Sequence, residues 1–397
     1  MSDLILKSAK QVYSKTMSFP SGHSIWIRDG LIHKMGPDNA LGYPDSIPAL
    51  DCSHSVLIPG FVDCHTHLLF AGSREHEFYM RAAGRSYLEI LESGGGIYST
   101  VNALRSASDE ELIRNGLRFL DRALALGTTT VEIKSGYGLD PENEMRMLSI
   151  IRKLDNMHAV DIIPTFLTHT VPRSWERERY LETVEKEMIP AFREYSEWYD
   201  IFIEKGVFSA EESRRLLRAA HNAGYHLGVH ANQVHDIGGV TLAIEMNVRH
   251  ISHLEVLSDK DAAGILENDN IYPVFLPGAE ACVFSDRKGQ IGRLLSIPER
   301  LILSTDFNPG SSPLLSPALI MQMAVLRYRS EDAAWLIDSF TRNPADMLYL
   351  SDRGRLEVGC KADIISLKLE NYEQLPYFGT MPVIDRVIKT GKVVCGV

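Results

Sequence analysis

The chain has 397 residues, 45% of them hydrophobic, which is enough for one large barrel-type domain and a smaller appendage. Its 52 acidic against 41 basic residues leave a net charge of -11, which argues against a nucleic-acid backbone or an anionic membrane surface as partner and favours a small molecule. Five cysteines, Cys52, Cys64, Cys282, Cys360 and Cys395, form no CxxC pair, so a disulfide framework or a thiolate zinc cluster is not expected. With no cationic leader before an apolar run, and no stretch of about 18 apolar residues, the sequence reads as a cytoplasmic protein without signal peptide or membrane span.

In chain order, residues 1–57 carry short alternating segments such as 24–30, broken by Gly and Pro in the manner of half-exposed antiparallel strands. Between them and the C-terminus, short apolar runs at 56–62, 128–133, 161–167, 225–229, 248–251, 271–276 and 301–303 alternate with polar or amphipathic stretches, among them 109–126 and 142–153. Strands buried on both faces and separated by helices predict a parallel sheet, and this many units predict a closed (β/α)8 barrel of the TIM type over 58–355. Residues 362–367 and 386–394 return to the style of the first segment, so 1–57 and 356–397 are expected to form one small β-sandwich domain from both chain termini.

The first chemical signal is His65-Thr66-His67 at the end of the first buried run. Side chains alternate along a strand, so both imidazoles point one way, towards the mouth of the barrel, and Cys64 points towards the surrounding helices. Alone, the pair is equally well read as packing. His230, His253 and Asp306 alter that balance, because each follows another apolar run and so lies near another strand end. Three neutral histidines and a carboxylate would hold one divalent ion, leaving a position for a water whose pKa the ion lowers towards neutrality. Read singly, His253 could be a core histidine and Asp306 a turn cap before Asn308-Pro309-Gly310. The Gly94-Gly95-Gly96 run lacks a following Lys-Ser or Lys-Thr and reads as an active-site loop, not a phosphate loop.

Pro59-Gly60-Phe61-Val62-Asp63-Cys64-His65-Thr66-His67 resembles the first metal motif of the amidohydrolase superfamily. Gly72-Ser73-Arg74-Glu75-His76-Glu77-Phe78, Gly94-Gly95-Gly96-Ile97, Glu132-Ile133-Lys134-Ser135-Gly136-Tyr137-Gly138-Leu139 and Thr305-Asp306-Phe307-Asn308-Pro309-Gly310-Ser311-Ser312 resemble the imidazolonepropionase family in particular, and in that family's order. The match runs from about Pro59 to Pro317, and Gly359-Cys360-Lys361-Ala362-Asp363 is a generic superfamily ending. The resemblance implies that His65, His67, His230 and Asp306 bind one metal ion, zinc or iron. It also implies that Arg74, Tyr87, Tyr137, His169, Asn308, Gly310 and Ser311 contact an imidazolone ring bearing a propionate tail, and that the protein is a homodimer. Chemistry asks for such groups independently: a tail carboxylate wants Arg74 or the backbone N–H groups around Gly310, and a flat ring wants aromatic or imidazole neighbours.

The implied reaction hydrolyses 4-imidazolone-5-propanoate to N-formimino-L-glutamate, with Asp306 as general base and His253 polarising the carbonyl. One departure is visible. Where the family more often has Asp-Glu after the third ligand, this chain has Asn232-Gln233. An amide can position a ring by hydrogen bonds but has no useful pKa, so Gln233 is expected to keep the positioning role and leave proton transfer to Asp306 and His253. Two rival readings use the same residues: deamination of an amino-substituted heterocycle, and a catalytically silent metal-binding scaffold.

Overall fold

The computed structural model describes residues 3–14 and 21–396, with the side chains of Tyr87 and Leu88 outside the description. Eight parallel strands pair with their neighbours in sequence order: β1 (Phe61–Asp63), β2 (Thr128–Lys134), β3 (Asp161–Thr168), β4 (Trp198–Ile203), β5 (His226–Ala231), β6 (His250–His253), β7 (Tyr272–Phe275) and β8 (Ile302–Leu303). All seven residues of β2 are buried, as a strand lined by the barrel interior on one side and helices on the other requires. Several of the helices between strands begin where side-chain acceptors satisfy free N–H groups. The Ser108 hydroxyl accepts from the Glu111 N–H at 3.2 Å before Asp109–Ala125, and Asp140 accepts from the Asn143 N–H at 2.9 Å before Pro141–Met157.

The ring closes just beyond the ends of β1 and β8. The Asp306 N–H donates to the His65 carbonyl at 3.0 Å, and the His67 N–H to the Phe307 carbonyl at 2.9 Å. Asp63, the last residue of β1, fastens the same seam. Its carboxylate accepts from the Thr305 N–H at 3.1 Å, from the Thr305 hydroxyl at 2.6 Å and from the Ser304 hydroxyl. Burial pushes the Asp63 carboxyl up to about 6, and these donors oppose that shift.

Two strand expectations change. The run 56–62 divides at Gly60 into Val56–Pro59, which belongs to a terminal sheet, and β1. A Cβ at Gly60 would lie 2.3 Å from the Thr129 hydroxyl oxygen, so the chain passes against β2 where only glycine fits. β4 is an additional strand, because Asp200 interrupts its apolar run and disguises it.

The terminal strands form two sheets. One, in the order Leu31–Pro37, His23–Arg28, Leu4–Ala9, Ala49–Asp51, is entirely N-terminal. The other runs Lys392–Gly396, Ile384–Lys389, Ile364–Leu367, Val56–Pro59, Gln11–Val12, so it joins strands from both ends of the chain. Leu6, Ile25 and Ile27 of the first share an apolar cluster with Leu57, Ile364 and Ile388 of the second. Among the described residues no helix is long and apolar enough to cross a membrane.

Candidate active site and metal centre

Four strand ends converge at one mouth of the barrel. His65 and His67 follow β1, His230 lies in β5, and together they offer ring nitrogens within 4.8 Å of one another, all three buried. Asp306, beyond β8, brings Oδ1 to 3.6 Å from His65 Nε2 and 3.4 Å from His67 Nε2. His253 closes the group at the end of β6, its ring 5.5 Å from that of His230. His253 (φ 86°) and Asp306 (φ 50°) both take left-handed backbone, a conformation that costs a non-glycine residue about 1 kcal/mol or more. Cys64 points away, packed with Ala345 and Met347, and burial pushes its thiol up, as befits an inert residue.

The nitrogens suit a cation. His65 presents Nδ1 to the Ser252 hydroxyl at 2.9 Å, and His230 presents Nδ1 to Asp200 Oδ1 at 2.9 Å. That leaves Nε2 of each buried without a hydrogen-bond partner, as is Nδ1 of His67. Unpaired buried nitrogens are costly unless something accepts their lone pairs. Burial holds the imidazoles neutral: His65 lies well below its ordinary value, His67 is pushed down to about 3 and His230 to about 4. Neutral imidazoles beside a carboxylate, two of them with the second ring nitrogen held by a partner, are the donor set of a zinc- or iron-type site.

Behind the ligands lies a layer of charge that sequence reasoning missed. Lys134 in β2, fully buried, sits 2.7 Å from Glu132 Oε1 and 2.9 Å from Asp200 Oδ2. Glu132 also accepts the Thr66 N–H at 3.1 Å, tying β2 to the residue between the two histidines. Burial resists ionisation of Asp200, but His230 and Lys134 beside it hold its carboxyl well below the usual range. Asp200 therefore stays an anion facing His230. The available signal was a Glu-x-Lys inside an otherwise uncharged strand, a pattern that needs a buried counter-charge.

A cavity of about 180 Å³ opens over the metal group, lined among others by Arg74, Arg81, Tyr137, His169, Gln233 and Ser311. His169 stacks on His67 with centroids 5.8 Å apart, and Tyr137 lies 6.0 Å from His67, so the expected ring-binding residues gather on one wall. The contact expected of Tyr87 lies outside the described residues. Asn308 lines the cavity but spends its side chain on its own loop: Oδ1 accepts from the Gly310 N–H at 2.8 Å and the Ser311 N–H at 2.7 Å. Those N–H groups are thus already paired, contrary to the expectation that they could hold a tail carboxylate. The cations remain. Arg74 gives Nε and Nη2 to Glu77 at 2.7 and 2.6 Å, and Arg81, which sequence reasoning passed over, joins the same carboxylate at 3.0 Å.

His253 donates through Nδ1 to Glu255 Oε1 at 3.2 Å. Burial pushes its pKa down, but Glu255 and then Asp306 outweigh this and leave it raised. Burial likewise carries the Asp306 carboxyl up to about 6, against the pull of His253.

Residues 56–394 match the amidohydrolase family. The chain is similar to an imidazolonepropionase of Kosmotoga olearia, 37% identical over 95% of this chain and 92% of that one. It is 39% identical to an imidazolonepropionase of Geobacillus thermodenitrificans over 94% of this chain and 89% of the relative. Among solved structures, a triazine hydrolase from Arthobacter aurescens superposes with a TM-score of 0.78 at 14% identity, covering 100% of this chain and 95% of that one. A Xaa-Pro dipeptidase with bound methionine gives a TM-score of 0.72 at 16% identity, with 100% of both chains covered. At such identities the two structures speak for the barrel fold alone.

Proposed function

The chain belongs to the amidohydrolase family, and from that premise we propose that it opens the cyclic amide of 4-imidazolone-5-propanoate to give N-formimino-L-glutamate, the imidazolonepropionase activity of histidine degradation. The observation that carries the reading is the convergence of ring nitrogens from His65, His67 and His230 with the Asp306 carboxylate, beneath a cavity that Arg74 also lines. In this reading these four residues hold one divalent ion, zinc or iron, both of which suit imidazole and carboxylate ligands. Such an ion supplies Lewis acidity and lowers the pKa of a water for attack on the ring carbonyl. Water adds to the carbonyl carbon, the bond from that carbon to the ring nitrogen breaks, the nitrogen departs with a proton, and the carbon becomes a carboxylate.

The residues divide the remaining work. Asp306 takes a proton from the attacking water and returns it to the departing ring nitrogen. Protonated His253, kept so by Glu255, donates to the carbonyl oxygen as negative charge builds there. Tyr137 and His169 hold the flat ring, Asn308, Gly310 and Ser311 complete the substrate wall, and Arg74 takes the tail, with a substrate contact of Tyr87 resting on the family resemblance alone. Gln233, on the cavity wall, orients the ring without carrying a proton. The hydrolase barrel runs from Phe61 to about residue 355, and the strands from both ends of the chain, Val56–Pro59 included, make the small sandwich of a cytoplasmic homodimer.

The test measures metal content and ring opening on the same purified preparation, with ammonia followed in parallel. Ring opening that disappears on chelation and returns with zinc or iron is expected. Metal-loaded protein that leaves the imidazolone intact but releases ammonia from an amino-heterocycle would replace this reading with the deaminase one.

A further inference from the structure

Glu77, Arg74 and Arg81 form a cluster on the cavity wall whose charges do not balance. The helix Glu75–Ala82 starts at Arg74, so Arg74, Glu77 and Arg81 succeed one another at spacings of three and four and share a face. On an isolated helix this would be an ordinary solvated ion-pair ladder. Here Glu77 is 4% exposed, and the side chains of Arg74 and Arg81 are 12% and 15% exposed. Glu77 accepts two bonds from Arg74, one from Arg81 and one from the Gly96 N–H at 3.0 Å. Its single negative charge is divided between two guanidiniums, so the cluster keeps one positive charge in excess.

Three details say what that charge can meet. Arg81 Nη1 donates to the Gly310 carbonyl at 2.8 Å, which fixes its fork at the cavity rim. Arg74 Nη1 has no acceptor among the described residues, and a Cβ at position 310 would lie 2.2 Å from it, so the bare glycine backbone lets the guanidinium settle there. The Gly310 and Ser311 N–H groups are taken by Asn308, so no backbone donor of that loop competes for an anion. A largely buried, pre-oriented excess of one positive charge matches one carboxylate.

We propose that Arg74 and Arg81 together clamp a single carboxylate of the substrate, with Arg81 a further substrate-binding residue and Glu77 the positioning residue that sets both guanidiniums. The clamp selects monoanionic tails and rejects neutral ones. It rests on the reading of the site as one for a ring with a propionate tail.

The test compares binding of 3-(imidazol-4-yl)propionate and of its primary amide to the metal-loaded protein by calorimetry, alongside ring-opening kinetics. Wild type should prefer the acid, and Arg81→Met should cut that preference roughly 10- to 100-fold by weakening the acid alone, the value of one or two charge-assisted bonds. In kinetics the loss should fall on KM more than kcat, and Arg81→Lys should recover part of it. Glu77→Gln separates positioning from simple attraction: removing a negative charge would tighten the acid if attraction alone mattered, whereas loss of the clamp's geometry weakens it. A wild type that binds acid and amide alike overturns the clamp whether or not any variant folds. So does Arg81→Met weakening both ligands equally, or Glu77→Gln tightening the acid. If the preference depends on Arg81 but the protein opens no imidazolone, the clamp stands and the proposed activity falls; ring opening without the preference does the reverse.

Discussion

Asp200 offers the sharpest test of how the metal group is held. It is fully buried, its Oδ1 2.9 Å from His230 Nδ1 and its Oδ2 2.9 Å from the Lys134 ammonium. In Asp200→Asn the carbonyl oxygen can still accept from His230, but the charge that makes the imidazole a better ligand is gone, and the new amide hydrogens face the Lys134 ammonium, donor against donor. Outer partners of ligating histidines are worth about 10- to 100-fold in metal affinity, or ~1.4–2.7 kcal/mol. Asp200→Ala also strands Lys134 with Glu132 as its only close anion among the described residues, a broken buried pair of about 3–5 kcal/mol in stability. The assay is chelator competition for the metal, paired with thermal unfolding and with activity at saturating metal. Asp200→Asn should bind metal at least about tenfold more weakly yet regain most activity when metal is supplied in excess. Metal affinity within twofold of wild type, with unchanged unfolding, would show that His230 needs no anion behind it and that the buried charge layer does not support the site.

His67→Ala should lose bound metal and activity together, read by elemental analysis and turnover, because the site then offers too few ligands to fix one ion. Arg74→Met should raise KM for the propionate substrate by an amount equal to ~2–3 kcal/mol while kcat changes little; an unaltered KM would remove Arg74 from the tail site. The pKa of His253 is raised mainly by Glu255 against burial, so its protonated form persists below that raised value and is lost as pH climbs through it. Glu255→Gln should therefore move the basic limb of the kcat/KM profile to lower pH, and an unmoved limb would mean that His253 does not act as the donor. Gln233→Ala should cost ~1–3 kcal/mol in activity with metal retained, and Gln233→Glu should stay active while gaining a limb at about pH 4–6; activity appearing only in Gln233→Glu would make the missing carboxylate a proton carrier.

The sequence made the barrel readable because its strands are short apolar runs between helical stretches, and it failed at β4 because Asp200 sits in the middle of the run. That failure and the functional gap are the same fact. A buried carboxylate in a strand spoils the apolar pattern for the reason that makes it useful, namely that it carries charge into the interior to face His230. The candidate ligands stood out in the sequence because each lies at or just beyond the end of an apolar run, where residue type and position speak together. Glu77 and Arg81 were not, since a Glu and an Arg four apart on a helix look the same whether water or a cavity wall covers them. Tertiary placement, which no local pattern encodes, separates the two cases.

The seam between β1 and β8 shows how far that placement reaches. Asp63 belongs to the motif that suggested the first two ligands, yet its carboxylate is engaged 242 residues away with Thr305, next to Asp306. The backbone bonds from Asp306 to His65 and from His67 to Phe307 interleave the segment after the first strand with the segment after the last. Closing the ring and bringing His65 and His67 to within 3.6 Å of the Asp306 carboxylate are therefore one structural event. A change that loosens the seam without touching a ligand should weaken metal and stability together. Asp63→Asn is that change: it removes a charged acceptor of two hydroxyls and one N–H, bonds to a charged group being worth about 1.5–3 kcal/mol each at most. Chelator competition and thermal unfolding on that variant should shift in parallel, whereas a large loss of stability with metal affinity intact would mean that the barrel holds its ligands in place without the seam.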